Sequence, residues 1–209
     1  MMKLNLESPL FDYINTGINF ILLNLIFIVS CLPVFTIGPA MTGMYQVTLR
    51  EVKKEYGYMI RTYIRCFVKS FWLALQAELM LVIPFLIISF SALFWKETGG
   101  IAGEAASVLL GLAGLVLMMS GAYLFPLLAR YETNASAAVR NSICLALGYP
   151  FYTALLLLVS AVLVAILYFT DAGKMFMCIV GFSFAAMCKS VILVKVFDRY
   201  ESDGDEKDN

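Results

Sequence analysis

Two charged residues of this sequence lie deep inside long apolar runs, where a charge needs a specific reason. Glu78 lies well inside one run, and Lys189 lies a similar distance from the end of another. A charge at such a depth costs about 2.5–3.5 kcal/mol on insertion scales, so both side chains should face other helices or water. We predict that they pair across a helical bundle. The pair could be a proton- or cation-coupled site, a structural ion pair, or a protonated Glu78 beside a snorkelling Lys189.

Three asparagines form a second polar set, on the first apolar run: Asn15, Asn19 and Asn24. Asn15 and Asn19 share one face at helical spacing. Side-chain amides hold membrane helices together by about 0.6–2 kcal/mol each, so the set is either a helix-packing device or part of a substrate site.

Residue types that enzymes commonly need are missing or scattered. The sequence has no histidine, and its five cysteines include no Cys-x-x-Cys pair. The commonest general base and the commonest metal ligand are therefore absent. No phosphate-binding loop, dinucleotide fingerprint or nucleophile elbow is present either. We expect neither an enzyme nor a bound metal or cofactor.

The elements that must position these residues are membrane-spanning helices. The chain is 61% hydrophobic, against roughly 45–50% in soluble domains, and its mean hydropathy is +0.85. Five runs reach the length of about 20 apolar residues that a span requires: residues 14–35, 71–95, 105–128, 149–170 and 175–197. The sequence therefore predicts one all-α, polytopic membrane domain over residues 1–200, with a disordered acidic tail at 201–209.

Orientation follows from the lysines and arginines beside the spans, because positive residues favour the cytoplasmic side. With the N-terminus outside, only Lys3, Lys96 and Lys174 of the 15 lysines and arginines lie outside. The sequence thus predicts five spans with the N-terminus out and the C-terminus in.

The connection between the first two spans carries two predicted amphipathic helices on the cytoplasmic side, at residues 40–56 and 58–71. In the second, Arg61, Arg65 and Lys69 recur every four residues opposite an apolar face. This pattern is typical of an interfacial helix whose basic side faces anionic headgroups. It would also suit a helix that covers one mouth of the bundle. So few charges beside five spans do not favour nucleic-acid binding.

The stretch that joins the first span to these helices is rich in residues that break or restart a helix. Pro33 can kink the end of the span, Thr36 can bond freed backbone groups, and Gly38 permits a tight turn. Pro39 suits the first turn of a new helix, and Arg50 marks the inner side. We predict a membrane-exit hinge at these five residues.

The run Leu32-Pro33-Val34, followed by Thr36-Ile37-Gly38-Pro39-Ala40, resembles the signature of the YesL-like family of bacterial integral membrane proteins, a domain of unknown function. The resemblance covers about the first ninety residues, and residues 196–201 are similar to the family's ending. It implies a bacterial plasma membrane. It also implies a link with carbohydrate use, because genes of this family often neighbour those of sugar-importer permeases and membrane sensor kinases.

Two functions fit these observations. The first is an accessory or regulatory partner of a carbohydrate uptake system, with the lipid bilayer and a sugar-importer permease or sensor kinase as its partners. The alternative is a small secondary transporter or channel-like protein. A transporter should show a polar cavity at mid-depth lined by Glu78, Asn19 or Asn24, whereas an accessory protein should show a dry core and an exposed apolar groove.

Overall fold

The protein is described here by a computed structural model, which covers residues 9–55 and 57–205, with side chains for 16–55 and 57–202. All regular structure in this part of the chain is helical, as predicted. The elements are α1 (Pro9–Ser30), a 3-10 turn (Val34–Thr36), α2 (Ile37–Val52), α3 (Met59–Thr98), α4 (Gly100–Arg130), α5 (Ala135–Gly148), α6 (Pro150–Phe169), α7 (Asp171–Phe176), a π-helical turn (Met177–Gly181) and α8 (Phe182–Asp205).

Four segments of the described chain are long and apolar enough to cross a membrane: Met59–Thr98, Gly100–Arg130, Pro150–Phe169 and Asp171–Ser202. A shorter apolar segment, Thr16–Ser30, lies in α1. The chain thus has the helices of a multi-pass membrane protein. Five spans and the N-out, C-in orientation remain predictions.

α3 joins two elements that the sequence analysis separates. The predicted interfacial helix at 58–71 and the predicted span at 71–95 form one helix of 40 residues. At 1.5 Å per residue it is about 60 Å long, roughly twice the thickness of the hydrocarbon core. The change from basic to apolar composition near Phe71 is therefore not a helix boundary, because no glycine or proline interrupts the helix there.

α2 lies in the core of the bundle, which corrects the prediction of an amphipathic surface helix at 40–56. It packs against α3, α4 and α8, and Thr48 at its far end contacts Ser190 of α8 through their hydroxyls at 2.7 Å. Close packing is possible because small residues face α3. A Cβ atom at Gly43, for example, would lie 3.1 Å from the Tyr63 ring. The buried residues of α2 are Gly38, Pro39, Ala40, Thr42, Gly43, Met44, Tyr45, Val47, Thr48 and Leu49.

α3 and α4 form an antiparallel hairpin whose turn depends on two glycines. Gly99 and Gly100 have φ angles of 71° and 79°, which residues with a side chain rarely adopt. Close to the turn, a Cβ atom at Gly103 would lie 2.7 Å from the Trp95 carbonyl oxygen. The hairpin brings the end of α4 back beside the basic first half of α3.

α8 extends past the end of the predicted fifth span. It continues to Asp205, so the first residues assigned to a disordered tail are helical. Glu201 is held by Arg130 at 3.0 Å, and this pairing gives the end of the helix a tertiary contact. The rest of the predicted tail, 206–209, lies outside the described residues.

Candidate functional site

The chain between α1 and α2 makes a compact turn. α1 ends at Ser30 and α2 begins at Ile37, with the 3-10 turn between them. The Thr36 hydroxyl lies 2.5 Å from the carbonyl oxygen of Ser30 and 2.6 Å from that of Pro33, and it donates its proton to this pair. A helix break therefore stands where the sequence predicts one. Motion at this break, which a hinge requires, remains a prediction.

The first turn of α2 takes its hydrogen-bond acceptor from another helix. The first amides of a helix have no intrahelical partner. Here the Ile37 amide donates to the Val34 carbonyl, and Pro39 has no amide hydrogen. The Gly38 amide donates to the Glu78 carboxylate of α3 at 3.1 Å. Glu78 therefore caps α2, and its negative charge suits the positive end of the helix dipole.

Position 38 leaves little room for a side chain. A Cβ atom there would lie 2.7 Å from Glu78 Oε2 and 3.2 Å from the Ala74 carbonyl oxygen. Gly38 of the predicted membrane-exit hinge thus contacts Glu78 of the predicted intramembrane pair.

The predicted ion pair between Glu78 and Lys189 is not formed within the described part of the chain. Lys189 is the neighbour of Ser190, which lies beside Thr48. Thr48 follows Gly38 by ten residues, or about 15 Å along α2. The two charged side chains therefore lie near opposite ends of α2, and Glu78 uses its carboxylate to cap the nearer end.

Asn24 joins α1 to the π-helical turn before α8. Its side chain is fully buried, and its amide donates to the carbonyl oxygens of Met177 and Cys178 at 3.1 and 2.7 Å. Its oxygen accepts a hydrogen bond from the Ser183 amide at 3.1 Å. Because a π turn disturbs the backbone ladder, Asn24 supplies partners that apolar side chains cannot. Asn19 is half-buried, and the side chain of Asn15 lies outside the described residues.

The predicted basic residues line a cavity of about 820 Å³ between α2, the first half of α3 and the end of α4. We call it the basic cavity. Its wall carries one acidic side chain, that of Glu132, and the cationic side chains of Arg50, Arg61, Arg65, Lys69 and Arg130.

The cations of the basic cavity differ in how they are neutralised. Lys69 pairs with Glu132 at 2.6 Å, and Arg50 lies 3.3 Å from Glu55. The Lys69 ammonium, through this hydrogen bond and its charge, lowers the pKa of the exposed Glu132 carboxyl below its ordinary value. No ion pair among the described residues involves Arg61 or Arg65.

Arg130 is the functional candidate that the sequence analysis misses, since it counts there only toward orientation. Its guanidinium bonds Asp198 at 2.9 Å and Glu201 at 3.0 Å and lies 5.2 Å from the Phe197 ring centre. Its Nη1 atom is buried and has no hydrogen-bond partner within the described residues. The neighbouring Tyr131 hydroxyl donates to Glu201 at 2.6 Å; burial and this hydrogen bond raise the pKa of Tyr131.

Residues 20–92 match the family described as "Protein of unknown function, DUF624". The match spans about a third of the chain: the second half of α1, the turn between α1 and α2, α2 itself and most of α3. It contains the Gly38–Glu78 contact and the three predicted basic residues. No curated protein and no solved structure matches the chain.

A second cavity begins inside the DUF624 match and extends into α4. This apolar groove of about 640 Å³ runs between α3 and α4, and Gly111, Gly114 and Ser107 form its α4 side. Gly103, Ser107 and Gly111 recur every four residues, a spacing of small residues that favours close helix packing. Gly103 does pack against α3, whereas Gly111 is exposed and a Cβ atom there would meet nothing within 4 Å. The other groove residues are Phe85, Ser89, Ala92, Leu93, Lys96, Val108, Leu110, Leu115 and Met118.

Proposed function

We propose that this chain is a non-enzymatic accessory or regulatory component of a carbohydrate uptake system in a bacterial plasma membrane, of the YesL-like type. The carbohydrate link comes from the sequence resemblance alone. The DUF624 match is consistent with the YesL-like family and names no activity. The structural part of the proposal is that the protein works by lateral helix packing and through its basic end.

One observation carries the choice of an accessory role over transport. The polar groups that a transport path would need are already used in contacts between helices. Glu78 caps α2 through Gly38, and buried Asn24 bonds the backbone of the π-helical turn. A side chain that holds two helices together cannot also bind a solute without giving up that contact.

The apolar groove supports the lateral part of the proposal. Membrane helices associate through close packing at small residues, because lipid is as apolar as their side chains. The α4 side of the groove is built from such residues, and exposed Gly111 leaves room for another helix at its surface. We propose that a transmembrane helix of the permease occupies the groove.

The experiment is affinity purification of the full chain from native membranes of cells grown with and without an inducing sugar, with the co-purified proteins quantified. We expect a sugar-importer permease or a membrane sensor kinase to be recovered. Gly111→Phe, which fills the groove, should reduce the recovery severalfold. Gly17→Phe is the matched control, because Gly17 is also exposed with nothing within 4 Å of its Cβ position.

The proposal fails if no permease or kinase is recovered under any sugar. Solute uptake by liposomes that contain the purified chain alone, lost on Glu78→Gln, would favour the transporter instead.

A further inference from the structure

We propose that the basic cavity binds a phosphate group, carried by an anionic phospholipid headgroup or by a soluble phosphate ester. This goes beyond the accessory role, because it assigns a ligand-binding site to the end of the bundle rather than to its lipid-facing groove. It rests on the shape of the cavity and on the uncompensated charge of its wall.

Arg61 and Arg65 supply the central argument. They lie one helical turn apart on α3, so both guanidinium groups project to the same side, and both line the cavity. Both residues are exposed, and neither has an ion-pair partner among the described residues. A guanidinium offers planar, paired N–H donors that match the oxygens of phosphate.

Arg130 adds a fixed guanidinium, whose charge two carboxylates offset, on the opposite wall. It is held by Asp198 and Glu201, so it needs no ordering when a ligand arrives. Its buried Nη1 still lacks an acceptor within the described part, so one hydrogen-bond donor of this guanidinium is unused.

The acidic groups around the cavity do not cancel its charge. Glu132 is engaged by Lys69 and Glu55 by Arg50, while Asp198 and Glu201 bond Arg130. Each acid therefore already faces a cation, with Asp198 and Glu201 sharing Arg130, and Arg61 and Arg65 are left for a ligand.

The position of the cavity suits a membrane phosphate. It extends along α3 from Tyr58 to Leu73, so it begins in the basic half of the helix and ends where the apolar half begins. Trp72, at that boundary, is 72% exposed, as is typical of a side chain at the level of the headgroups. Basic pockets beside membrane helices bind phosphate headgroups in this way. A soluble phosphate ester would make the same contacts from the water side.

The test measures binding of a phospholipid headgroup and of soluble phosphates to the full chain. In one arm, the protein is placed in nanodiscs of phosphatidylcholine with phosphatidylglycerol, and the phosphatidylglycerol that it retains is counted by native mass spectrometry. In the other arm, glucose 6-phosphate and inorganic phosphate are titrated into the protein in neutral detergent, and binding is followed by calorimetry. Retention in the first arm alone identifies a lipid headgroup, and binding in the second identifies a soluble ester; either result supports the proposal.

Arg61→Gln with Arg65→Gln should weaken binding about tenfold or more, because two charge-assisted contacts are lost. Arg61→Lys with Arg65→Lys keeps the charge but loses the paired donors. Its affinity for phosphate should therefore lie between that of the wild-type protein and that of the Gln double variant. The matched control is Arg140→Gln with Arg199→Gln, which removes two exposed arginines that do not line the cavity and should leave binding within about twofold.

Two results would overturn the proposal. One is equal weakening by the Arg61/Arg65 and Arg140/Arg199 double variants, which would mean general attraction to a positive surface. The other is the absence of binding in both arms while the wild-type protein is folded, as judged by its thermal unfolding.

Discussion

The Gly38 amide donates a hydrogen bond to the Glu78 carboxylate at 3.1 Å. This contact links the most buried helix of the bundle to its longest one. It gives the intramembrane carboxylate a structural task, and it explains the glycine in the stretch Thr36-Ile37-Gly38-Pro39-Ala40, because a side chain at position 38 would collide with that carboxylate.

Glu78→Ala should destabilise the protein by about 1–3 kcal/mol, since it leaves the Gly38 amide without an acceptor. Glu78→Gln keeps an oxygen at the same place and should cost less, although it removes the favourable charge at the helix end. The measurement is thermal unfolding in one detergent, in which each kcal/mol lowers Tm by about 2–4 °C for a chain of this size.

Glu97→Ala is the control for Glu78→Ala, because Glu97 is exposed near the end of α3 and forms no ion pair among the described residues. Equal Tm values for the Glu78→Ala and Glu97→Ala proteins would show that Glu78 does not act as a cap.

Gly38→Ala should destabilise the fold by about 1–3 kcal/mol, as is usual for overpacking. The added methyl group would meet both Glu78 Oε2 and the Ala74 carbonyl oxygen, and the latter cannot turn away. Gly17→Ala has open space around it and should leave Tm unchanged or raise it, because alanine favours a helix over glycine. A Gly38→Ala protein as stable as wild type would mean that α2 and α3 are not this close.

Asn24→Ala should cost about 1–3 kcal/mol, because its removal leaves buried backbone groups of the π-helical turn unpaired. Asn19→Ala, on the same helix but only half-buried, should cost less. Hydrogen exchange of the amides from Met177 to Ser183 is the direct measurement. We expect it to accelerate in the Asn24→Ala protein and to stay unchanged in the Asn19→Ala protein.

Replacing Lys69 with Gln should raise the pKa of Glu132 toward its ordinary value, because the hydrogen bond and charge that lower it are lost. A carboxyl group whose folded pKa is lowered stabilises the fold at pH values above its unfolded pKa, and this contribution is lost as the pH falls through the folded pKa. Both side chains are exposed, so the effect on stability should be small. Carbon-13 NMR titration of the Glu132 carboxyl in the wild-type and Lys69→Gln proteins measures the shift, and identical titration curves would contradict it.

Much of the fold can be predicted from the sequence because its signals are local. Apolar length indicates the four long spans, and Pro33 with Gly38 indicates the break after α1. The buried position of α2 is not local information. Arg50 in its last turn, with Lys53 and Lys54 directly after it, suggests a surface helix. The environment of α2 depends instead on glycines, alanines and threonines that permit close packing by α3, α4 and α8.

The candidate site divides in the same way. The spacing of Arg61, Arg65 and Lys69 predicts a common face, and this face lines the basic cavity. Arg130 reaches the cavity only because the α3–α4 hairpin returns to the same end. The predicted Glu78–Lys189 ion pair is not formed, for a related reason. Similar depth in two spans suggests contact, but the two residues lie near opposite ends of α2, about 15 Å apart along that helix.

The most direct measurement concerns the partner in the apolar groove. A photo-crosslinking amino acid is placed at Gly111, inside the groove, or at Gly17, which is also exposed and lies on α1. After irradiation of sugar-grown cells, the crosslinked proteins are identified by mass spectrometry. We predict a crosslink to a transmembrane helix of a sugar-importer permease from position 111 and none from position 17. Crosslinks to lipid alone from position 111, or the same permease crosslink from both positions, would contradict the accessory role through this groove.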